Sequence, residues 1–250
     1  MGRFVTGTSS ENDAEREVPR YSFVSKEGSY QLELDGDMLI HSSDQRDVLN
    51  HFAWHVNSHA MQAATDRLVI HSGAAVSPRG GAVLLPGPSG SGKTGLVAGL
   101  VRAGFGYLSD EAAGIDPKTG LVLPYPKPLS IKPGMFDRFG AEMDASRAWP
   151  ISAHQWLVDP DSLRDDSVAG PSTAAFVIFP THSRGAKTRV TPLSAAESVM
   201  ALHENVANRS VFGRRALPLL ADLAKRAVSY RLESSDPDEA VRVVGELTAG

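Results

Sequence analysis

Apolar positions along this chain recur with two different periods, and the switches between them outline its elements. "YSFVS" and "SYQLELDGDMLIHS" alternate apolar with polar residues, as half-buried strands do, and Asp35-Gly36 between the halves of the second is hairpin-turn chemistry. Over 44–66 the period lengthens: Val48, Leu49, Phe52, Val56 and Ala60 fall on one side of a helix. "RLVIHSGAAVS" and "GAVLLP" are unbroken apolar runs and predict buried strands, joined through Arg79-Gly80-Gly81. "KTGLVAGLVRA" predicts a helix stopped by Gly104, and "FGYLSDE" a strand finishing on two carboxylates.

Further on, "PYPKPLSIKPG" is extended and "AAFVIFP" is a buried strand. "SAAESVMALHENVAN" and "GRRALPLLADLAKRA" are helices and "VSYRLES" is a strand. "DPDEAVRVVGELT" is a closing helix with Asp236 as N-cap and Pro237 in its first turn. Residues 140–170 follow neither period and are expected to be a long excursion, either a substrate-facing insertion or a plain loop. The pattern predicts an α/β protein: a disordered tail over 1–20, a small β-rich element plus a helix over 21–66, and one α/β core over 67–250.

Composition narrows the function classes. With 250 residues, 42% hydrophobic, the chain can bury one sizeable core. The net charge of −4 speaks against sequence-independent nucleic-acid binding, so no nucleic-acid partner is expected. No apolar run approaches membrane-spanning length and the first residues lack the apolar core of a secretory signal, so no membrane partner is expected. Gly2 to Thr6 fits the M-G-x-x-x-[ST] myristoylation pattern, read here as a chance match in a polar tail. The absence of cysteine rules out disulfides and thiolate metal sites and suits a cytoplasmic protein.

One stretch carries chemistry. Gly87-Pro88-Ser89-Gly90-Ser91-Gly92-Lys93-Thr94 is a complete G-x-x-x-x-G-K-[ST] phosphate loop, followed by Gly95, with an apolar strand before it and a helix after. Glycines let backbone N–H groups turn inward around phosphate oxygens, and the helix adds the positive end of its dipole. Lys93 supplies a mobile charge for the β- and γ-phosphates, and the Thr94 hydroxyl can ligate Mg²⁺. The loop therefore calls for a nucleotide's phosphates with Mg²⁺. Such a loop also needs a carboxylate at the end of a neighbouring strand. Asp110 and Glu111 supply two, one to hold the metal and one to take a proton from an attacking hydroxyl. No N-K-x-D base-reading motif is present, which argues against a GTPase switch.

Taken together, residues 68–111 resemble the catalytic domain of HPr kinase/phosphorylase, and more closely the smaller HPr-kinase-related proteins, some of which phosphorylate a serine of ribosomally made peptide precursors such as lasso peptides. The resemblance rests on His71 in the strand before the loop, the loop itself, the Arg102-Ala103-Gly104 helix end and the acidic pair, and continues into "LPYPKPLSIKPG" and, weakly, "FVIFPTHSRGA". It implies a phosphoenolpyruvate-carboxykinase-like P-loop core and transfer of a phosphoryl group from Mg-ATP to a serine hydroxyl. It implies phosphate and metal roles for Lys93 and Thr94, an active-site role for His71, and a place for Asp110 and Glu111 on the family's paired aspartates, the second of which is the base. Glutamate at the second place leaves open which carboxylate takes the proton. The N-terminal part is shorter than in true HPr kinases and no counterpart of their glutamate-arginine-glycine signature is found, so a peptide or small protein other than HPr is the expected acceptor.

Three further groups have a place in this reading. Lys127 and Lys132, flanking "PLSI", are candidates for a phosphate or acceptor clamp, with Arg184 a weaker one. His51, His55 and His59 stand at helical spacing that can bind metal, but no carboxylate completes the set, and a polar helix edge is the expectation. Three function classes stand at this point: a peptide or protein serine kinase, a small-molecule kinase with an enclosed acceptor pocket, and a nucleotide-dependent regulator with slow hydrolysis. A homo-oligomer is compatible with all three.

Overall fold

The computed structural model describes residues 19–132, 134–135, 145–152 and 155–249. The predicted tail, apart from residues 19 and 20, and the Gly2–Thr6 pattern lie outside the described residues, as does part of the 140–170 excursion. The chain forms two compact units, Met1–Phe52 and Ala53–Gly250. No helix among the described residues is long and apolar enough to cross a membrane.

In the first unit, β1 (Tyr21–Lys26), β2 (Ser29–Leu34) and β3 (Asp37–Ser42) form an antiparallel meander. Both turns are two residues long, Glu27-Gly28 and Asp35-Gly36, and all four residues have positive φ. That is the type I′ geometry whose twist matches the strands it joins. The alternating pattern leaves Leu32 fully buried, and the rings of Tyr21 and Phe23 meet Phe52 edge-on at 5.0 and 5.1 Å. Helix α1 (Gln45–Ala63) begins in this unit and ends in the next.

The second unit is mixed α/β. In chain order it holds β4 (Leu68–Val76), β5 (Ala82–Pro86), α2 (Lys93–Arg102), β6 (Gly106–Ser109), β7 (Ala112–Ile115), β8 (Leu121–Leu123), β9 (Leu129–Ile131), β10 (Ala148–Ser152), β11 (Gln155–Val158), β12 (Ser172–His182), β13 (Arg189–Leu193), α3 (Ala195–Glu204), α4 (Arg209–Phe212), α5 (Ala216–Arg226), β14 (Val228–Ser234) and α6 (Pro237–Ala249). The main sheet runs β13-β14-β12-β5-β4-β7-β8, and β6 pairs with the second half of β4. The start of β12 also pairs with β8, so the path from β12 through β5, β4 and β7 to β8 closes on itself.

The unbroken apolar runs have a clear cause: the sheet is covered on both faces. Along β5, Val83 and Leu85 enter one core with Leu96, Val97 and Leu100 of α2 and Val244 of α6. Ala82 and Leu84 enter the other, with Leu202 of α3 and Leu220 and Leu223 of α5. A strand buried on both faces has no polar side to show, so its sequence loses the two-residue alternation. Helix ends follow local chemistry. Ser194 and Glu197 form a reciprocal capping box on α3, the Asp236 carboxylate accepts from the Asp238 N–H at 2.8 Å at the head of α6, and Gly104 takes φ +96° after α2.

Several elements are not legible in the pattern. β7, β8 and β13 are short or polar, and "FGYLSDE" is not all strand: β6 stops at Ser109. The Ser109 hydroxyl accepts from the N–H groups of Glu111 (3.1 Å) and Ala112 (3.0 Å), which turns the chain at the two carboxylates. Within the 140–170 excursion, β10 and β11 form a hairpin that adds to β9 in a separate three-stranded sheet, so its described part holds paired strands as well as short helical turns and loop.

Candidate functional site

β5 and β6 run the same way, because each is antiparallel to β4, which lies between them. Their carboxyl ends therefore share one edge of the sheet. The glycine-rich loop follows β5 and the acidic pair follows β6, so residues distant in sequence come together at that edge.

The loop from Gly87 to Gly92 climbs into α2. Gly90 and Gly92 have φ +87° and +98°, a conformation that side chains resist, and a Cβ on Gly87 would stand 2.8 Å from Ser91 Oγ. No side chain caps the first turn of α2, so its leading amides keep their donors for another partner. The Ser91 hydroxyl is buried with no hydrogen-bond partner. Lys93, 6% exposed, donates from Nζ to the carbonyls of Gly87 (2.7 Å) and Pro88 (2.8 Å). Burial lowers its pKa to about 8, against the pull of Asp110 and Glu111. A buried ammonium resting on its own loop, beside open amides and an unpaired hydroxyl, is a donor set suited to an anion.

The acidic pair stands opposite. Asp110 is 3% exposed. The Thr94 hydroxyl donates to Asp110 Oδ2 at 3.3 Å, and the Ser130 N–H donates to the same oxygen at 3.1 Å. Lys127 Nζ bridges the pair, 2.9 Å from Asp110 Oδ1 and 3.0 Å from Glu111 Oε2. Burial acts to lower the Lys127 pKa, but the two carboxylates and their hydrogen bonds outweigh it, and the net shift is upward. The buried Tyr107 hydroxyl donates to the Lys127 carbonyl at 2.8 Å and so ties the backbone of the lysine to β6. Burial raises the pKa of that phenol well above its ordinary value, and Asp110 adds to the shift.

His71 sits half-buried in β4, opposite Ala112. Its backbone N–H donates to the Asn205 carbonyl at 2.7 Å, while the next residue, Ser72, donates to the carbonyl of Glu111 at 3.0 Å. Burial, then the charge of Lys93, lowers the imidazole pKa against the opposing pull of Glu111 and Asp110, so the ring is neutral near pH 7.

The structure thus brings His71, the loop, Lys93, Thr94, Asp110, Glu111 and Lys127 together. Lys132 and Arg184 stay outside this group: Lys132 is exposed just past β9, Arg184 is exposed in the turn after β12, and among the described residues the cation paired with the two carboxylates is Lys127. His55 and His59 stack one turn apart with ring centroids 6.3 Å apart, and the described residues hold no group of three or more His, Cys, Asp or Glu able to hold a metal ion. Sequence reading missed Tyr107, Ser109 and Ser130. Ser109 was the findable one, since a serine just before two acids is a turn signal. Ser130 acts through its backbone N–H, for which no sequence signal exists.

Thr94 and Asp110 offer a hydroxyl and a carboxylate, hard oxygen donors too few to hold an ion alone. That fits Mg²⁺, which keeps several waters and takes one or two protein oxygens together with substrate phosphates. No family model matches the chain, and no curated protein matches it.

Proposed function

We propose that the chain is an Mg-dependent kinase that transfers the γ-phosphoryl group of ATP to a serine hydroxyl of a peptide or small protein, on a phosphoenolpyruvate-carboxykinase-like P-loop core. The observation that carries this reading is the contact between the first turn of α2 and the acidic turn: the Thr94 hydroxyl lies 3.3 Å from an Asp110 carboxylate that Lys127 ties to Glu111. The motif residues and the acids are thereby within one hydrogen-bonded group, as phosphoryl transfer requires.

The residues divide the work by their surroundings. The loop amides and Lys93 bind the phosphates, and Lys93 turns from the Gly87 and Pro88 carbonyls to phosphate oxygens. Thr94 and Asp110 would hold Mg²⁺, whose charge offsets that of the transferring phosphates. Asp110 is otherwise committed, since both of its oxygens have partners and it is nearly inaccessible. Glu111 is the more exposed acid and has one bridging partner, so its carboxylate is the better base. The serine oxygen forms its bond to the γ-phosphorus as the bond from that phosphorus to the β-phosphate oxygen breaks. The hydroxyl proton goes to Glu111, and ADP leaves with the electron pair. Neutral His71 can share a hydrogen bond with the reacting groups without adding a charge.

Incubating the protein with Mg-ATP and candidate peptides, including any encoded beside it, and reading products by mass spectrometry tests the assignment. The expected product is one phosphate on a serine, lost in Lys93→Ala. Phosphorylation of free metabolites with every peptide untouched would replace the peptide acceptor with a small molecule. Equal turnover by Lys93→Ala would remove the kinase assignment altogether.

A further inference from the structure

A pocket of about 240 Å³ lies between the last turns of α1 and the paired strands β4 and β7. Val69 of β4 and Ala112 and Gly114 of β7 line it from the sheet, and Met61 of α1 and Leu123 of β8 are among its other apolar residues. Its polar members are Asp66, Arg67 and Tyr125, and each already has a partner in the protein. Arg67 Nε donates to the two Asp66 carboxylate oxygens at 3.0 and 3.1 Å, and the Tyr125 hydroxyl donates to Asn57 Oδ1 at 2.6 Å.

Strand register sets this pocket beside the acidic pair. Residues opposite one another in an antiparallel pair, and residues two apart on one strand, share a face of the sheet. His71 stands opposite Ala112, and Val69 opposite Gly114. His71 therefore lies on the face that lines the pocket, two residues or about 6.6 Å along β4 from Val69. Ala112, in turn, directly follows Glu111. Tyr125 makes a second link: its N–H donates to the Leu108 carbonyl at 2.9 Å, and its carbonyl accepts from the Lys127 N–H at 2.9 Å. Burial raises the pKa of the Tyr125 phenol, and the charges of Lys127 and Glu111 both reach it.

We propose that this pocket receives an apolar side chain of the acceptor peptide, two residues away from the serine that takes the phosphate. The inference rests on the peptide-kinase reading above and names what that peptide carries. The serine hydroxyl must reach Glu111, so the peptide lies along the acidic flank, and the pocket begins one residue further on, at Ala112. In an extended peptide, side chains two apart point the same way and stand about 6.6 Å apart, the same step that separates His71 from Val69. The lining selects the occupant. Asp66 and Arg67 offset each other's charge, and the Tyr125 proton is committed to Asn57. A charged side chain entering here would lose water and gain no partner, whereas an apolar one loses nothing. The volume is below the roughly 300–1,000 Å³ of sites that enclose a whole drug-sized ligand, which suits a single side chain such as Leu, Ile, Met or Phe.

The test uses a positional-scanning peptide library with one central serine. Its other positions are degenerate mixtures free of Ser, Thr, Tyr and Cys, with one position fixed at a time. The wild type, Ala60→Leu, Met61→Ala and Lys93→Ala are incubated with the library and Mg-ATP labelled on the γ-phosphate, each protein first shown by circular dichroism to be folded. Ala60 lines the pocket from the exposed side of α1, so leucine there fills it and remains a good helix former. The quantity read is the ratio of incorporation between fixed residues within each protein, which a uniform loss of rate does not move. The wild type is expected to prefer Leu over Asp by at least about tenfold at one of the two positions two residues from the serine. Ala60→Leu should reduce that preference to within about twofold, and Met61→Ala, which enlarges the pocket, should shift it from Leu toward Phe and Trp. Incorporation that depends on Lys93 but shows no apolar preference at either position overturns the pocket and leaves the kinase reading standing. So does a preference that is the same in both pocket variants as in the wild type. Incorporation no higher than that of Lys93→Ala removes the kinase reading, and the pocket falls with it. Should Ala60→Leu not fold, Met61→Ala decides alone: an unchanged ratio of Phe to Leu overturns the pocket.

Discussion

The two flanks of the glycine-rich loop are built from opposite materials. On the β6 side every oxygen of Asp110 has a partner, and Lys127 lies within 3.0 Å of both carboxylates. On the β12 side Leu96, Met135, Pro180, Leu232, Pro237 and Ala240 line a cleft whose polar members are Ser91, Thr181, His182, Ser234 and Asp236. Charges buried beside one another hold geometry and shift one another's proton affinity, which chemistry needs. Apolar walls hold a ligand without fixing any atom of it, which suffices for binding. The two lysines sharpen the contrast. Lys127 has its carboxylates and its pKa goes up; Lys93 is buried on neutral carbonyls and its pKa falls to about 8. One ammonium is paired with carboxylates, and the other rests on backbone carbonyls.

That contrast can be broken at its strongest point by Glu111→Gln. If the acidic flank does the chemistry, phosphoryl transfer should fall by about 10²–10⁴-fold, the usual cost of losing a general base. Nucleotide affinity should barely move, because the residue touches neither loop nor cleft. Comparing single-turnover rates with calorimetric affinities checks this, and an unaffected rate puts the base elsewhere.

Lys127→Met comes next and acts on stability. It leaves two neighbouring carboxylates, one of them 3% exposed, without their cation. Removing one partner of a buried ion pair costs on the order of 3–5 kcal/mol. Chemical denaturation should report a loss near the lower figure, since Glu111 keeps some access to water. A variant as stable as the wild type would mean the bridge is not held.

The smallest effect belongs to Lys93 and is read against pH. Its folded pKa of about 8 lies below that of a free lysine, near 10.5, so the folded state binds this proton less tightly than the unfolded state does. Holding the buried charge is therefore a cost present in full below about pH 8, and it fades as pH rises toward 10.5. Lys127, whose folded pKa is raised, keeps its contribution throughout that window. Lys93→Met should accordingly raise the melting temperature at pH 7, with a gain that shrinks by pH 10. A gain independent of pH would point to packing rather than charge.

How much was legible depended on where each interaction is local. The helices over 45–63 and 93–102 and the turn at Asp35-Gly36 follow from spacing and from residues adjacent in the chain, and the sequence pattern finds them. The acidic pair stood out in the sequence as a candidate, but its geometry did not: its turn depends on the Ser109 hydroxyl, and its charge is paired by Lys127, brought up from beyond β8. Lys127 and Lys132, and more weakly Arg184, were candidate clamps, and only their folded positions separate the one that meets the acids from the two that lie exposed.

By itself the sequence determined the glycine-rich turn after β5, the two-face burial of β5 and the α/β class, because glycine spacing and apolar runs act over a few residues. The tertiary structure alone decided that β6 and β12 stand on opposite sides of that turn. It also decided that a backbone N–H of Ser130 and a lysine between two acids complete one flank, and that a largely apolar cleft forms the other. Strand order is set by long-range pairing, which the periodicity of any one strand does not encode.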